Sequence, residues 1–238
     1  MMQRLQSDGF IGGIDIGVDP LDMIKRYEVL KNYPFLHYSV GLYPSHAETE
    51  SLHIILDQLE DMIEKYSPHA IGEIGLDYHW DFSTPERQQE LFILQIQMAN
   101  KHKLPVIIHN RDADHDMLKL LKEHRPEYGT ILHCYSVEDD LSKDFIALDA
   151  YLSFAGNITY KNNNHIQEAA KVIPIDHMLI ETDSPYLAPI PKRGKLNTPE
   201  FIPYTYEYTA GLRQMETEAF SEIICNNFKR IFPPLLKK

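Results

Sequence analysis

Residues 70–78 read AIGEIGLDY. Ala70, Ile71, Ile74 and Leu76 suit the interior of a sheet, and the two glycines let another backbone or a ligand come close. Glu73 breaks the pattern. A carboxylate without a partner is costly to bury in an apolar strand, so a basic side chain, a proton or a metal ion has to neutralise it. The segments on either side decide which sheet the strand belongs to and narrow the choice of partner.

Working outward, short apolar runs alternate with amphipathic ones. Strands are expected at Phe10–Ile16, Phe35–Leu42, Ala70–Leu76, Pro105–His109, Thr130–His133, Tyr151–Phe154 and His177–Glu181. Between them, Leu52, Ile55, Leu56, Leu59, Met62 and Ile63 follow the spacing of one helix face. A second helix opens with Thr84 as N-cap and Pro85 at its first position, and repeats apolar residues at Leu91, Leu94 and Met98. A last helix presents Phe220, Ile223, Ile224 and Ile231. Strand–helix alternation with apolar strands predicts a parallel sheet covered by helices, here a TIM-type (β/α) barrel in a single domain, 1–238. Only seven strands are visible. The chain starts inside a helix, with Met1, Met2 and Leu5 as its apolar stripe and Asp8-Gly9 as its C-cap. An eightfold barrel needs a strand before that helix, so the barrel is expected to be N-terminally incomplete, lacking its first strand.

Bulk properties limit the function classes. In 238 residues, 43% are apolar and 24% charged, the make-up of an ordinary globular protein. No stretch has the length and apolarity of a membrane span, and the N-terminus has no apolar core of a signal peptide. Two cysteines give no disulfide framework, so a cytoplasmic setting is expected. A formal charge of −12 argues against a broad basic surface for nucleic acid, though not against an enzyme that holds phosphate through metal ions and a few cations.

Four residues fall at or just past the expected strand ends: Glu73, His109, His133 and Asp183. Successive members are 36, 24 and 50 residues apart. With about 30 residues per barrel unit, these steps are one, one and two units, which sends all four to the face where barrels keep their active sites. Two imidazoles and two carboxylates suit Zn²⁺, Mn²⁺ or Mg²⁺ with positions left for water. Taken singly, each has a plain alternative: an ion pair for Glu73, hydrogen-bonded core histidines for His109 and His133, a loop cap for Asp183. The expected strands contain no Arg or Lys to pair with Glu73, and four coincidences at four strand ends are harder to accept than one metal centre.

At this point the chain resembles the TatD-related metal-dependent deoxyribonucleases, members of the amidohydrolase-like barrels. The matching stretches are GLYPSHAE, IGEIGLDY, PVIIHNRDA, LHCYS, LSFAGNIT and LIETDSPYLAP followed by RGKLNTP, in the family's order along nearly the whole chain. The resemblance implies two divalent metals, with Glu73 bridging them, His109 and His133 completing one site, and Asp183 serving the other and helping to activate its water. It implies Lys192, Arg193 and Lys195 as phosphate clamps. Family members begin with a strand carrying His-x-His, two ligands on the Asp183 side, whereas the first histidine here is His37, so the second site lacks that pair. The family often has histidine where Tyr43 stands, which makes His46 a substitute candidate, and His79 is a further candidate at the mouth. The function implied is phosphodiester hydrolysis at the ends of single-stranded DNA, as a 3′-exonuclease. The competing expectations are a deacylase or amidohydrolase, for example on D-aminoacyl-tRNA, and a degenerate barrel without catalysis.

Overall fold

Each apolar run becomes a parallel strand: β1 (Gly13–Asp15), β2 (Leu36–Val40), β3 (Ala70–Asp77), β4 (Val106–Arg111), β5 (Thr130–Leu132), β6 (Ala150–Phe154) and β7 (Met178–Ile180). The helices are α1 (Met2–Ser7), α2 (Met23–Leu30), α3 (Leu52–Tyr66), α4 (Pro85–His102), α5 (Asp114–Glu123), α6 (Ser142–Ala147), α7 (Asn164–Val172), α8 (Ile202–Leu212) and α9 (Thr217–Ile231). The computed structural model describes residues 2–7, 9–137 and 141–233, with backbone only for Met2 and Gln3. The expected stripe residue Met1, the side chain of Met2 and the cap residue Asp8 lie outside the described residues. Gly9, the other half of that cap, has φ +92°, as a C-terminal glycine should.

The chain divides into two compact units, Gly12–Ile131 and the residues up to Ile11 together with Leu132–Pro233. In the first unit β1, β2, β3 and β4 are neighbours in chain order. The strand β3 is buried throughout except at Glu73, which is half-buried. Its pairing with β4 changes register between Ile71 and Ile74, opposite Val106 and Ile108, so an extra residue bulges at Gly72–Glu73. A bulge re-aims the side chain it carries. Two residues on, Gly75 has φ +141°, and a Cβ there would come within 2.0 Å of the His109 carbonyl oxygen, so only glycine lets β3 and β4 close up beside the bulge.

The helix α3 buries Leu52, Leu56, Leu59 and Ile63, as its spacing requires. In α4, Thr84 caps the helix by accepting from Arg87 N, and Pro85 follows it. Its buried face, however, is Gln88, Leu91, Phe92, Gln95, Ile96 and Ala99, rotated from the expected Leu91–Leu94–Met98 line. The reason is polar. Gln95 binds both the N–H and the carbonyl of Leu42, and Gln88 does the same for Asp77. Two glutamines thus satisfy backbone groups that strand ends leave open, each bond contributing about 1 kcal/mol.

In the second unit β6 and β7 pair from Leu152–Met178 to Phe154–Ile180. The helix α9 packs against this end through Phe220, Ile224 and Asn227, whose side-chain amide donates to the carbonyls of Ile175 and Met178. Among the described residues no helix is long and apolar enough to cross a membrane.

Candidate metal centre

The Gly12–Ile131 unit places Glu73 and His109 side by side. Glu73 lies in the middle of β3, not at its end, and the bulge turns it toward β4, where His109 Nδ1 is 3.0 Å from its Oε1. The other ring nitrogen is anchored from behind. His109 Nε2 lies 3.0 Å from Asp77 Oδ2 and 3.0 Å from the Tyr43 hydroxyl, and that hydroxyl donates to Asp77 Oδ2 at 2.9 Å. Asp77 is fully buried; its Oδ1 accepts from the N–H groups of His79 and Trp80, and Gln88 holds its backbone. Burial alone would raise the Asp77 pKa, but the hydrogen bonds from His109 and Tyr43 outweigh it and hold the carboxyl below the usual range. The Tyr43 phenol moves the other way, raised first by burial and then by its bond to Asp77.

These bonds fix the proton on His109. An ionised Asp77 only accepts, and the Tyr43 oxygen has spent its hydrogen on Asp77, so Nε2 must be the donor to both. Nδ1, on the opposite edge of the ring, faces Glu73, the arrangement in which an outer carboxylate orients a histidine ligand.

The second unit builds another group. His133 follows β5 directly, Glu181 follows β7, and Asp183 comes two residues later. Ligand atoms of His133, Glu181 and Asp183 all lie within 4.8 Å of one another. Glu181 Oε1 is 3.3 Å from His133 Nδ1 and accepts from the Cys134 N–H at 2.8 Å. Asp183 has φ +54°, a strained position for aspartate, inside a turn held by Asn197, whose amide donates to the carbonyls of Thr182 and Tyr186. An imidazole and two carboxylates at this spacing fit a divalent cation by donor type.

The remaining expected residues divide. Lys192 Nζ lies 5.5 Å from the centre of the Phe201 ring and 5.3 Å from that of Tyr204, and the Arg193 guanidinium 4.4 Å from that of Tyr160. Lys195 is exposed on the same loop. His46 Nδ1 sits 3.2 Å from the Tyr43 carbonyl oxygen, and His79 pairs with Asp112 at 3.0 Å in an exposed position. Two carboxylates of these groups escape the sequence reading, Asp77 and Glu181. Their one visible signal was a second carboxylate within four residues of Glu73 and within two of Asp183.

Donor sets of this kind on parallel β/α units define a class, the metal-dependent hydrolases built on (β/α) barrels. Comparison with known proteins gives the family. A family model described as TatD related DNase matches residues 1–233. The metal-dependent hydrolase YabD of Bacillus subtilis is 39% identical over 98% of this chain and 91% of its own length. The metal-dependent hydrolase YcfH of Escherichia coli is 41% identical over 68% of this chain and 62% of its own. Among solved structures, the TatD homologue YJJV of Escherichia coli superposes with a TM-score of 0.89 at 27% identity, covering 97% of this chain and 89% of that one. The chain therefore belongs to the TatD-related DNase family: it is a metal-dependent hydrolase with the TIM-type barrel fold.

Proposed function

We propose that the protein hydrolyses phosphodiester bonds at the ends of single-stranded DNA, as a 3′-exonuclease, using two divalent cations. The family description supports the substrate class, and the donor chemistry supports the metals. The observation that carries the reading is the His133–Glu181–Asp183 group, which brings one imidazole and two carboxylates together directly behind two strand ends.

In this reading Glu73, His109 and His133 would hold one ion and Asp183 the other. Bound there, such ions supply Lewis-acid stabilisation of a phosphate and lower the pKa of a water. The chain's own residues do the rest. Asp77 and Tyr43 hold the Nε2 edge of His109 and so set its Nδ1 edge beside Glu73. Glu181 receives the Cys134 N–H and orients His133. The Asp183 carboxylate, on its pinned turn, takes the proton of the attacking water.

Metal content per chain and the shortening of 3′-end-labelled single-stranded DNA test the reading together. Two ions per chain and stepwise shortening are expected, with Glu73→Gln reduced to background. Intact DNA alongside hydrolysis of an aminoacyl ester would replace the nuclease by a deacylase. A protein that takes up no Mn²⁺ or Zn²⁺ would refute both.

A further inference from the structure

The bulge that turns Glu73 toward β4 is held on its other side, from β2 and beyond. The Glu73 N–H donates to the Gly17 carbonyl at 2.7 Å, reaching past β2 to the loop that follows β1. Ser39, in β2, completes the circuit. Its hydroxyl donates to the Gly72 carbonyl at 2.6 Å and accepts from the Gly17 N–H at 3.2 Å. One side-chain oxygen thus ties the residue before Glu73 to the residue that receives the Glu73 N–H. Ser39 is fully buried, so these backbone groups depend on it rather than on solvent.

Behind Ser39 stands Arg26 of α2, whose side chain is 15% exposed. Its Nη1 donates to the Ser39 carbonyl at 3.0 Å, its Nη2 to the Asp15 carbonyl at 2.9 Å, and its Nε to Asp15 Oδ1 at 2.7 Å. The planar fork fills the notch where β1 and β2 stop pairing, after Asp15 and Tyr38, and satisfies carbonyls that a longer ladder would have used. Asp15 is a further carboxylate at a strand end, and this arginine claims it as an ion pair. The fit is close: a Cβ on Gly17 would fall 1.9 Å from Arg26 Nη1, so glycine is what lets the Gly17 peptide lie between the guanidinium and the bulge.

We propose that Ser39 is a positioning residue for Glu73: backed by Arg26, it locks the backbone of the bulge so that the carboxylate stands beside His109 before any cation arrives. The inference rests on the reading of Glu73 as a metal ligand. A ligand already in place needs no ordering when it binds, so a rigid support appears as affinity. Ser39 does for Glu73 what Asp77 does for His109, with the difference that it acts through the backbone and not on the ligand's own side chain.

Amide hydrogen exchange on the metal-free protein reads the support without catalysis. In Ser39→Ala the Glu73 amide is expected to exchange about tenfold faster, while the Val106 amide, bonded to the Gly129 carbonyl, changes by less than about threefold. Leu59→Val, in the buried face of α3, controls for lost stability: it should lower the melting temperature without singling out Glu73. Titration with Mn²⁺ gives the second readout. The binding step that Glu73→Gln abolishes should weaken about tenfold in Ser39→Ala and about threefold in Arg26→Lys, whose ammonium lacks the planar fork, while the step that Asp183→Asn abolishes stays unchanged. Arg26→Lys carries both comparisons if Ser39→Ala does not fold. Uniform acceleration of core amides, or unchanged affinity at the step that Glu73→Gln abolishes, overturns Ser39 as a positioning residue. Failure of the metal reading looks different: selective exchange at Glu73 in a protein whose Mn²⁺ uptake is indifferent to Glu73→Gln keeps the support and removes Glu73 as a ligand.

Discussion

Two carboxylate–imidazole groups, one in each unit, are built by opposite means. Glu73 and His109 stand inside strands, aimed by a bulge and braced from behind by a buried aspartate. His133, Glu181 and Asp183 stand just beyond strands, on backbone that bends through positive φ at Cys134 and Asp183 and is tied down by Asn197. The first group borrows its rigidity from the sheet. The second has to make its own, from side chains that bond to loop carbonyls. The difference teaches where each group can fail: the first through loss of its outer hydrogen bonds, the second through loosening of the turn.

The largest effect should come from Asp77→Asn. An amide cannot balance the Nε2–H as a carboxylate does, so metal affinity at the Glu73–His109 pair should drop by about 10–100-fold. Titration with Mn²⁺ or Co²⁺ measures this, and the Co²⁺ visible spectrum reports the changed ligand field. Tyr43→Phe should lose only about fivefold, the worth of one hydrogen bond of about 1 kcal/mol. Unchanged affinity in Asp77→Asn with a lowered melting temperature would make the aspartate a packing element and erase the contrast.

Acid should separate the two units next. Burial, with His37 beside it, pushes His69 in the first unit down to about 4. The unfolded chain takes up a proton below about 6.5 while the folded one stays neutral, so the folded state binds fewer protons in that window. Stability therefore falls as pH drops from about 6.5 to 4, by about 1–3 kcal/mol. Urea unfolding at two pH values should show a smaller fall in His69→Gln, whose amide can still accept from the Tyr38 N–H. Equal slopes in both proteins would discount His69.

The smallest effect is the one most specific to the loop group. Asn197→Ala removes the two bonds that hold the Asp183 turn and should cost about 1–2 kcal/mol in thermal unfolding. It should weaken metal uptake at the loop group and leave the strand pair unaffected. Equal weakening at both groups would show that the turn does not act locally.

Much of this was legible in the chain itself. All seven strands follow from apolar runs, because a buried parallel strand has no polar face to disguise it. The ends are less faithful. The run Phe10–Ile16 pairs only over Gly13–Asp15, and β4 continues past His109 to Arg111, placing on a strand a cation that the apolar pattern had excluded. That guanidinium lies 5.7 Å from the centre of the Trp80 ring. Glu73 and His109 stood out because they interrupt apolar strands. Asp77 did not, since an aspartate at the end of a strand looks like a turn residue until its burial is known. Glu181 hid in the same way behind Asp183. The rotated face of α4 was illegible for a related reason: glutamine reads as solvent-facing, and only the strand ends it meets reveal why it is inside.

The clasp between Gln88 and the backbone of Asp77 carries a consequence for the helix above it. Because Asp77 supports His109, and α4 supports Asp77, the first turns of α4 belong thermodynamically to the Glu73–His109 pair. Any cation that favours the ordered pair also favours the folded end of this helix, by the same free energy in both directions. A scaffold element that touches no reactant thereby shares in the occupancy of the metal centre.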